Sequence, residues 1–153
     1  RCGRIDPGVL LYLLREKKYS VNDLEYLLYN ESGLLGVSTI SNDMRELLAS
    51  SNNKAQEAID LFCYRAALEV GYLSMALQGL DIIIFTAGIG ENSSYIREKI
   101  CKYLKWLGVK INKKHNANNS KIISHAESKV LVSVIPTNEE LMIARHVKSF
   151  VDK

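Results

Sequence analysis

The sequence predicts an α/β fold with a helical insertion before the central strand, and three observations carry that prediction. The run Ile82-Ile83-Ile84-Phe85 is β-branched and aromatic with no polar alternation, the pattern of a strand covered on both faces in a mostly parallel sheet. After residue 80 the segments read strand, helix, strand, helix, an order that builds parallel sheets. Before it the periodicity is helical, which divides the chain into a helical subregion over about 6–79 and an α/β core over about 80–153.

Asp6 and Pro7 read as N-cap and first helical residue, with Leu10, Leu13 and Leu14 giving the helix its apolar face. Ser20 caps a second helix, Asp23 completes a capping box, and Val21, Leu24, Leu27 and Leu28 form the buried side. The stretch 30–41, rich in Ser, Gly and Asn, reads as a loop, and Ser41 to Arg45 as the cap and first turn of a short helix. A long helix follows over about 54–78, its seam being Ile59, Phe62, Ala66, Val70, Leu73 and Leu77. Beyond the central strand, 93–107 reads as one helix with Ile96, Ile100, Tyr103 and Leu107 inward, stopped by Gly108. Then come a short strand over 109–111, a polar loop over 112–120, an edge strand over 121–124 and a covered strand over 129–135. Pro136 ends that strand. Thr137 caps a last helix with Glu140 as capping-box partner and Leu141, Ala144, Val147 and Val151 on one face.

At 153 residues the chain is long enough for one domain with a real core, and 47 % hydrophobic residues at a mean hydropathy of −0.05 describe a soluble globular class. A net charge of +3 from 20 basic and 17 acidic residues is too small and too mixed to argue for nucleic acid or a membrane surface as partner. The aromatic residues are scattered and build no stacking platform for bases. Cys2, Cys63 and Cys101 form no C-x-x-C or Cys/His ligand spacing, so we expect reduced thiols and a cytoplasmic location. No apolar segment reaches the roughly 18 to 20 residues of a membrane span, and no signal core begins the chain. The chain starts at Arg1, directly in a motif-like stretch, and we expect a piece of a longer polypeptide.

The chemistry-bearing candidate is the turn after the central strand. Gly88 and Gly90 can take positive φ and let backbone approach a ligand, and the following helix points unpaired N–H groups at the loop, a geometry suited to a nucleotide. Ligands in open α/β sheets sit at this end of the strands. Yet Gly88-Ile89-Gly90-Glu91-Asn92-Ser93 is an incomplete G-x-G-x-x-G, and many such loops only turn the chain. A dinucleotide-binding oxidoreductase stays open on this pattern, with Asn112 near the position of an acidic ribose ligand, as does a noncatalytic interaction module. Asp43 and Arg45 read, on pattern, as a helix-capping carboxylate and a surface cation, Glu139 as an acid complementing a helix dipole, and Arg1 as solvated. His115, His125 and His146 have no partner at metal-ligand spacing.

The words Thr86-Ala87-Gly88-Ile89-Gly90-Glu91-Asn92 and Ile135-Pro136-Thr137-Asn138-Glu139-Glu140 resemble the acetate kinase family, within the superfamily of acetate and sugar kinases, chaperones and actin. The resemblance covers essentially the whole chain, as the C-terminal part of the second, nucleotide-binding domain of such proteins, and implies a partial ribonuclease H-like (actin-like ATPase) fold. It implies reversible, Mg²⁺-dependent phosphorylation of acetate to acetyl phosphate by ATP, with ADP as product, in a homodimeric full-length enzyme.

The family pattern Thr-Arg-(Ser/Cys)-Gly-Asp-Ile-Asp-Pro carries a catalytic arginine that falls on Arg1, a residue type whose planar, permanent charge suits a transferring phosphoryl group. This sequence departs from the pattern at Arg4, where the family has an acidic residue, which changes the field near Arg1. By the same resemblance Asp43, Met44 and Arg45 contact the nucleotide, as do Gly88, Ile89, Gly90, Glu91 and Asn92, and Glu139 helps hold Mg²⁺. The family's acetate pocket and its phosphate-binding loop have no counterpart motif in these residues.

Overall fold

The computed structural model describes residues 1–151, without the side chain of Glu139, and the chain divides into two compact units, 1–65 and 66–153. The first unit is helical: α1 Pro7–Arg15, α2 Val21–Asn30, α3 Gly33–Ser38, α4 Met44–Ala49, and the first half of α5 Asn53–Ala76. As the caps predict, the Asp6 carboxylate accepts from the Gly8 N–H ahead of Pro7, and Ser20 and Asp23 close a reciprocal capping box. The region 30–41 is not all loop. It folds α3, ended by Thr39 in the left-handed region, and the buried Ser38 hydroxyl accepts from the N–H groups of Ile40 and Ser41. Leu24, Met44, Leu47, Ala58, Ile59 and Cys63 form the core of this unit.

Along α5 the buried stripe runs through Ala55, Ala58, Ile59, Cys63, Ala67 and Ser74, a rotation of the expected seam. Ile59 is shared, Phe62, Ala66 and Val70 are half-buried, and Leu73 and Leu77 are exposed. Three of these buried positions are alanines, Ala55, Ala58 and Ala67, and a reading weighted to large apolar residues passes over them.

The second unit holds the rest of α5, β1 Ile82–Phe85, α6 Ala87–Asn92, α7 Ser94–Tyr103, a 3-10 turn Lys105–Leu107, α8 Lys113–Ala117, β2 Leu131–Val134 and α9 Glu139–Val151. β1 and β2 pair in parallel, from Ile82 opposite Leu131 to Phe85 opposite Val134, so the 45 residues after Phe85 and before Leu131 make one long crossover. Ile83 and its register partner Val132 are buried, with Ile96, Ile100, Leu104 and Ile123 also in this unit's core. The expected cover on both faces is met on one: Ile82 and Ile84 are 39 % and 48 % exposed, so β1 alternates as a half-buried strand does.

The expected helix over 93–107 is two pieces, because Ser93 takes an extended conformation and caps α7 through the Ile96 N–H, and Leu104 ends α7 before the 3-10 turn. Gly108, at φ +81°, stops the run as predicted. The expected strand over 109–111 reduces to one antiparallel bridge, Ile111 with Ser124, and the edge strand over 121–124 to that bridge plus Ile122 with Ser133. The expected loop over 112–120 folds α8, since the Asn112 side chain accepts from the His115 N–H and starts a helix. The start of α9 lies one residue later than expected. Asn138, not Thr137, accepts from the Leu141 N–H, which leaves Glu140 outside the capping-box position. Leu141, Val147 and Val151 on α9 are exposed.

Candidate active site

In the first unit, Arg1 is exposed, with its guanidinium 5.8 Å from the centroid of the Tyr29 ring. Two features fix its backbone. The Cys2 N–H donates to the Leu28 carbonyl at 3.0 Å, and Gly33, at φ +61°, lets α3 begin against Arg1, where a Cβ would lie 2.6 Å from the Arg1 carbonyl oxygen. Gly33 escaped the sequence reading because Ser32-Gly33 looks like any loop punctuation. Arg1, Arg4, Tyr29, Asn42 and Arg65 line a cavity of about 530 Å³ whose described lining includes no carboxylate. Arg4 adds positive charge beside Arg1 where the family pattern has negative.

Asp43 is half-buried and caps α4, accepting from the Arg45 N–H at 2.8 Å. The Arg45 Nε donates to both Asp43 oxygens at 3.1 Å and a terminal nitrogen donates to Oδ2, an ion pair closed within three residues. Those hydrogen bonds, with the charge beside them, hold the Asp43 carboxyl down to about 2 and raise the Arg45 pKa. The cap and surface cation read from pattern are therefore present, and Arg45 keeps a 90 % exposed side chain. Met44 is buried in the core of this unit.

In the second unit the turn after β1 differs from expectation. Gly88 and Gly90 do not have positive φ; the left-handed residue is Ala87, at φ +58°. Both glycines lie in α6, each in a different setting. A Cβ on Gly88 would meet nothing within 4 Å, whereas one on Gly90 would come within 3.3 Å of the Phe85 carbonyl carbon. Gly90 lets α6 close onto the end of β1, and Gly88 leaves bare backbone facing open space. Asn92 is exposed and donates back to the Gly88 carbonyl at 2.8 Å, and Ile89 is half-buried.

The Glu91 side chain is tied to Thr137. Its Oε1 accepts from the Thr137 N–H at 2.8 Å and from the Thr137 hydroxyl at 3.0 Å, tying α6 to the turn between β2 and α9. The Thr137 N–H above all, with its hydroxyl and the Ala87 N–H, holds the Glu91 carboxyl below its ordinary value. Thr137 is thus a structural partner of the loop that sequence reasoning assigned to a cap. Glu139 opens α9 two residues on, and the metal-binding reading of its side chain lies outside the described residues.

Arg97 was also missed, since an arginine on a predicted helix reads as solvent-exposed. It is completely buried, and three of its hydrogen bonds reach Asn116 and Asn119 in the stretch taken as a polar loop. Asn112, the ribose candidate of the oxidoreductase alternative, caps α8 instead of ending a strand. None of the three cysteines is in a disulfide; burial pushes the Cys101 thiol up to about 12, far from thiolate chemistry at neutral pH. No helix among the described residues is long and apolar enough to cross a membrane.

Solved structures superpose on this arrangement closely. The acetate kinase of Porphyromonas gingivalis matches with a TM-score of 0.90 and 36 % identity over 99 % of this chain and 39 % of that one. A propionate kinase from Francisella tularensis matches with a TM-score of 0.87 and 39 % identity over 94 % of this chain and 38 % of that one. The small parallel sheet with its glycine turn and flanking helices is part of an actin-like ATPase fold.

Sequence relatives narrow the class. The chain is 55 % identical to the acetate kinase of Rhodopseudomonas palustris and 52 % to that of Rickettsia prowazekii, each over 99 % of this chain and 39 % of the relative. The chain belongs to the acetokinase family, whose model matches residues 1–145. It spans 39 % of the length of these curated relatives.

Proposed function

We propose that this chain is the C-terminal part of the second, nucleotide-binding domain of an ATP-dependent acetate kinase, which phosphorylates acetate to acetyl phosphate reversibly. The observation that supports the reading is the acetokinase match over residues 1–145. Acetate is preferred to propionate because the sequence relatives at 52 % and 55 % identity are acetate kinases. In the forward direction an acetate oxygen forms a bond to the γ-phosphorus as the bond to the ADP oxygen breaks. The transferring group spreads its charge over three oxygens, and Arg1 stabilises that charge. Arg45, whose outer face is exposed beyond its pair with Asp43, and the open backbone at Gly88 hold the nucleotide, with Ile89, Gly90 and Asn92 shaping the loop. Glu91 acts on the loop through Thr137 rather than by touching the nucleotide.

Glu139 is the proposed ligand for Mg²⁺, which neutralises phosphate charge when bound. Among the described residues no group of three His, Cys, Asp or Glu could cage a metal, and a cation that keeps waters and substrate phosphates needs only one or two carboxylates. A single glutamate fits that donor set. The full-length protein is proposed to be a cytoplasmic homodimer.

The test is a chimaera in which this chain replaces the matching segment of the Rhodopseudomonas palustris relative. It is expected to form acetyl hydroxamate from acetate, MgATP and hydroxylamine, and to be protected from thermal unfolding by MgADP but not by NAD. The chain alone is expected to give no turnover, because nucleotide, metal and acceptor must be clamped together for in-line transfer. A folded chimaera stabilised by NAD and not by MgADP would overturn the kinase reading.

A further inference from the structure

A buried arginine without a carboxylate is costly unless every donor is satisfied, and Arg97 meets that condition in an unusual way. Its side chain is 0 % exposed, and no ion pair involves it among the described residues. A guanidinium has five N–H donors. All five are used: Nε donates to Asn116 Oδ1 at 2.8 Å, one terminal nitrogen to the carbonyls of Gly90 and Glu91, each at 2.8 Å, and the other to the Asn116 carbonyl at 2.8 Å and Asn119 Oδ1 at 2.6 Å. Asn116 is itself anchored, donating from Nδ2 to the Ser94 carbonyl at 2.8 Å.

The acceptors define the role. Gly90 and Glu91 lie in the last turn of α6, where helical carbonyls have no intrahelical partner and the dipole presents negative charge. The guanidinium caps that end from inside the protein. Asn116 and Asn119 hold it from the opposite side as neutral acceptors, so its charge stays uncompensated by any carboxylate. Burial depresses the Arg97 pKa, but an arginine remains charged at neutral pH. With the Glu91 carboxylate fastened to Thr137, the segment from Ala87 to Asn92 is held at two points, one of them a charged group whose own side chain is completely buried.

We propose that Arg97, oriented by Asn116 and Asn119, is the positioning residue that fixes the Gly88–Asn92 backbone for nucleotide binding. This rests on the proposed nucleotide role of that loop. Arg97 touches no substrate; it acts through the carbonyls of Gly90 and Glu91. A lysine in its place keeps the charge but has three donors on one atom and cannot span acceptors on both sides.

The test uses the chimaera carrying Arg97→Lys or Asn119→Ala, the second removing one acceptor from an exposed residue while leaving both loop carbonyls bonded. Arg97→Lys is expected to raise KM for ATP about tenfold or more, with kcat within about threefold and KM for acetate unchanged; Asn119→Ala is expected to raise KM for ATP about two- to threefold. Hydrogen exchange is expected to speed up in the peptide covering 87–92 in both variants, and not across α7. Exchange that rises evenly over α7 and α8, or KM values for ATP and acetate that rise together, would reduce Arg97 to a general core residue. An unchanged KM for ATP in folded Arg97→Lys overturns the proposal; if that variant does not fold, unchanged exchange over 87–92 in Asn119→Ala overturns it. The unsubstituted chimaera separates the two readings: lack of MgATP-dependent turnover there counts against the kinase reading, while the exchange result still decides what Arg97 does to the loop.

Discussion

Gly88 and Gly90 are two residues apart, and the structure gives them opposite responses to the same added methyl group. At Gly88 the backbone is compatible with alanine and a Cβ would meet nothing within 4 Å, so Gly88→Ala should leave the fold intact and gain up to about 1 kcal/mol of helix propensity. If a nucleotide lies against that bare backbone, the methyl group stands where ligand atoms approach. A tenfold loss corresponds to about 1.4 kcal/mol, and we expect KM for ATP to rise by at least about that factor. At Gly90 the Cβ would lie 3.3 Å from the Phe85 carbonyl carbon, against a strand end held by the 3.0 Å bond from the Ile135 N–H to the Phe85 carbonyl oxygen. Overpacking of this kind costs about 1–3 kcal/mol, which a propensity gain of about 1 kcal/mol offsets only in part. Gly90→Ala should therefore lower the melting temperature and Gly88→Ala should not. The assay is thermal unfolding with ATP saturation kinetics on both variants in the chimaera. The reasoning fails if Gly88→Ala leaves KM for ATP within twofold, or if it melts below Gly90→Ala.

Two further outcomes follow from the site. Arg1→Ala should lower kcat by roughly 10³-fold or more with a small change in KM for ATP, as for loss of an arginine acting on the transferring group, and near-normal kcat in single-turnover measurements would remove Arg1 from that role. Glu91→Gln should destabilise the fold at neutral pH and lose that effect in acid. The Glu91 carboxyl is held below its ordinary value, so its contribution is present above the unfolded pKa of about 4.3 and disappears as pH falls through the lower folded value. Melting curves from pH 7 to pH 3 should converge for the two proteins, and a constant gap would show that the Thr137 bonds do not depend on the charge.

The elements legible from the sequence were those whose signals are local. Asp6-Pro7 and Ser20 with Asp23 state their helix starts within four residues, and Gly108 its helix stop, so all three were read correctly. The strand pair was legible from the apolar runs, including its parallel sense. What failed depended on competition between adjacent side chains for one role. Thr137 and Asn138 are both good caps, and Thr137 is withdrawn by a glutamate 46 positions earlier in the chain, leaving the cap to Asn138. Asn112 looked like loop filler, yet its one bond to the His115 N–H begins a helix. The choice between Thr137 and Asn138 cannot be weighed without the tertiary partner Glu91, whereas the Asn112 cap is local.

The site shows the same division more sharply. The resemblance of the motif words singles out the Gly88–Asn92 segment, but it cannot assign the glycines to separate tasks. Only the close approach to Phe85 makes Gly90 a packing residue and leaves Gly88 as open backbone. Arg97 carries no signature at all. Its neighbours Ile96 and Ile100 mark a buried face beside it, and the asparagines that receive it lie 19 and 22 residues away as neutral amides that no charge pattern would pair with a cation. A loop's contacts with a ligand are written in its own sequence. The groups that hold it in place are chosen by the fold, and here they are a buried cation, two neutral amides and a carboxylate bonded to Thr137.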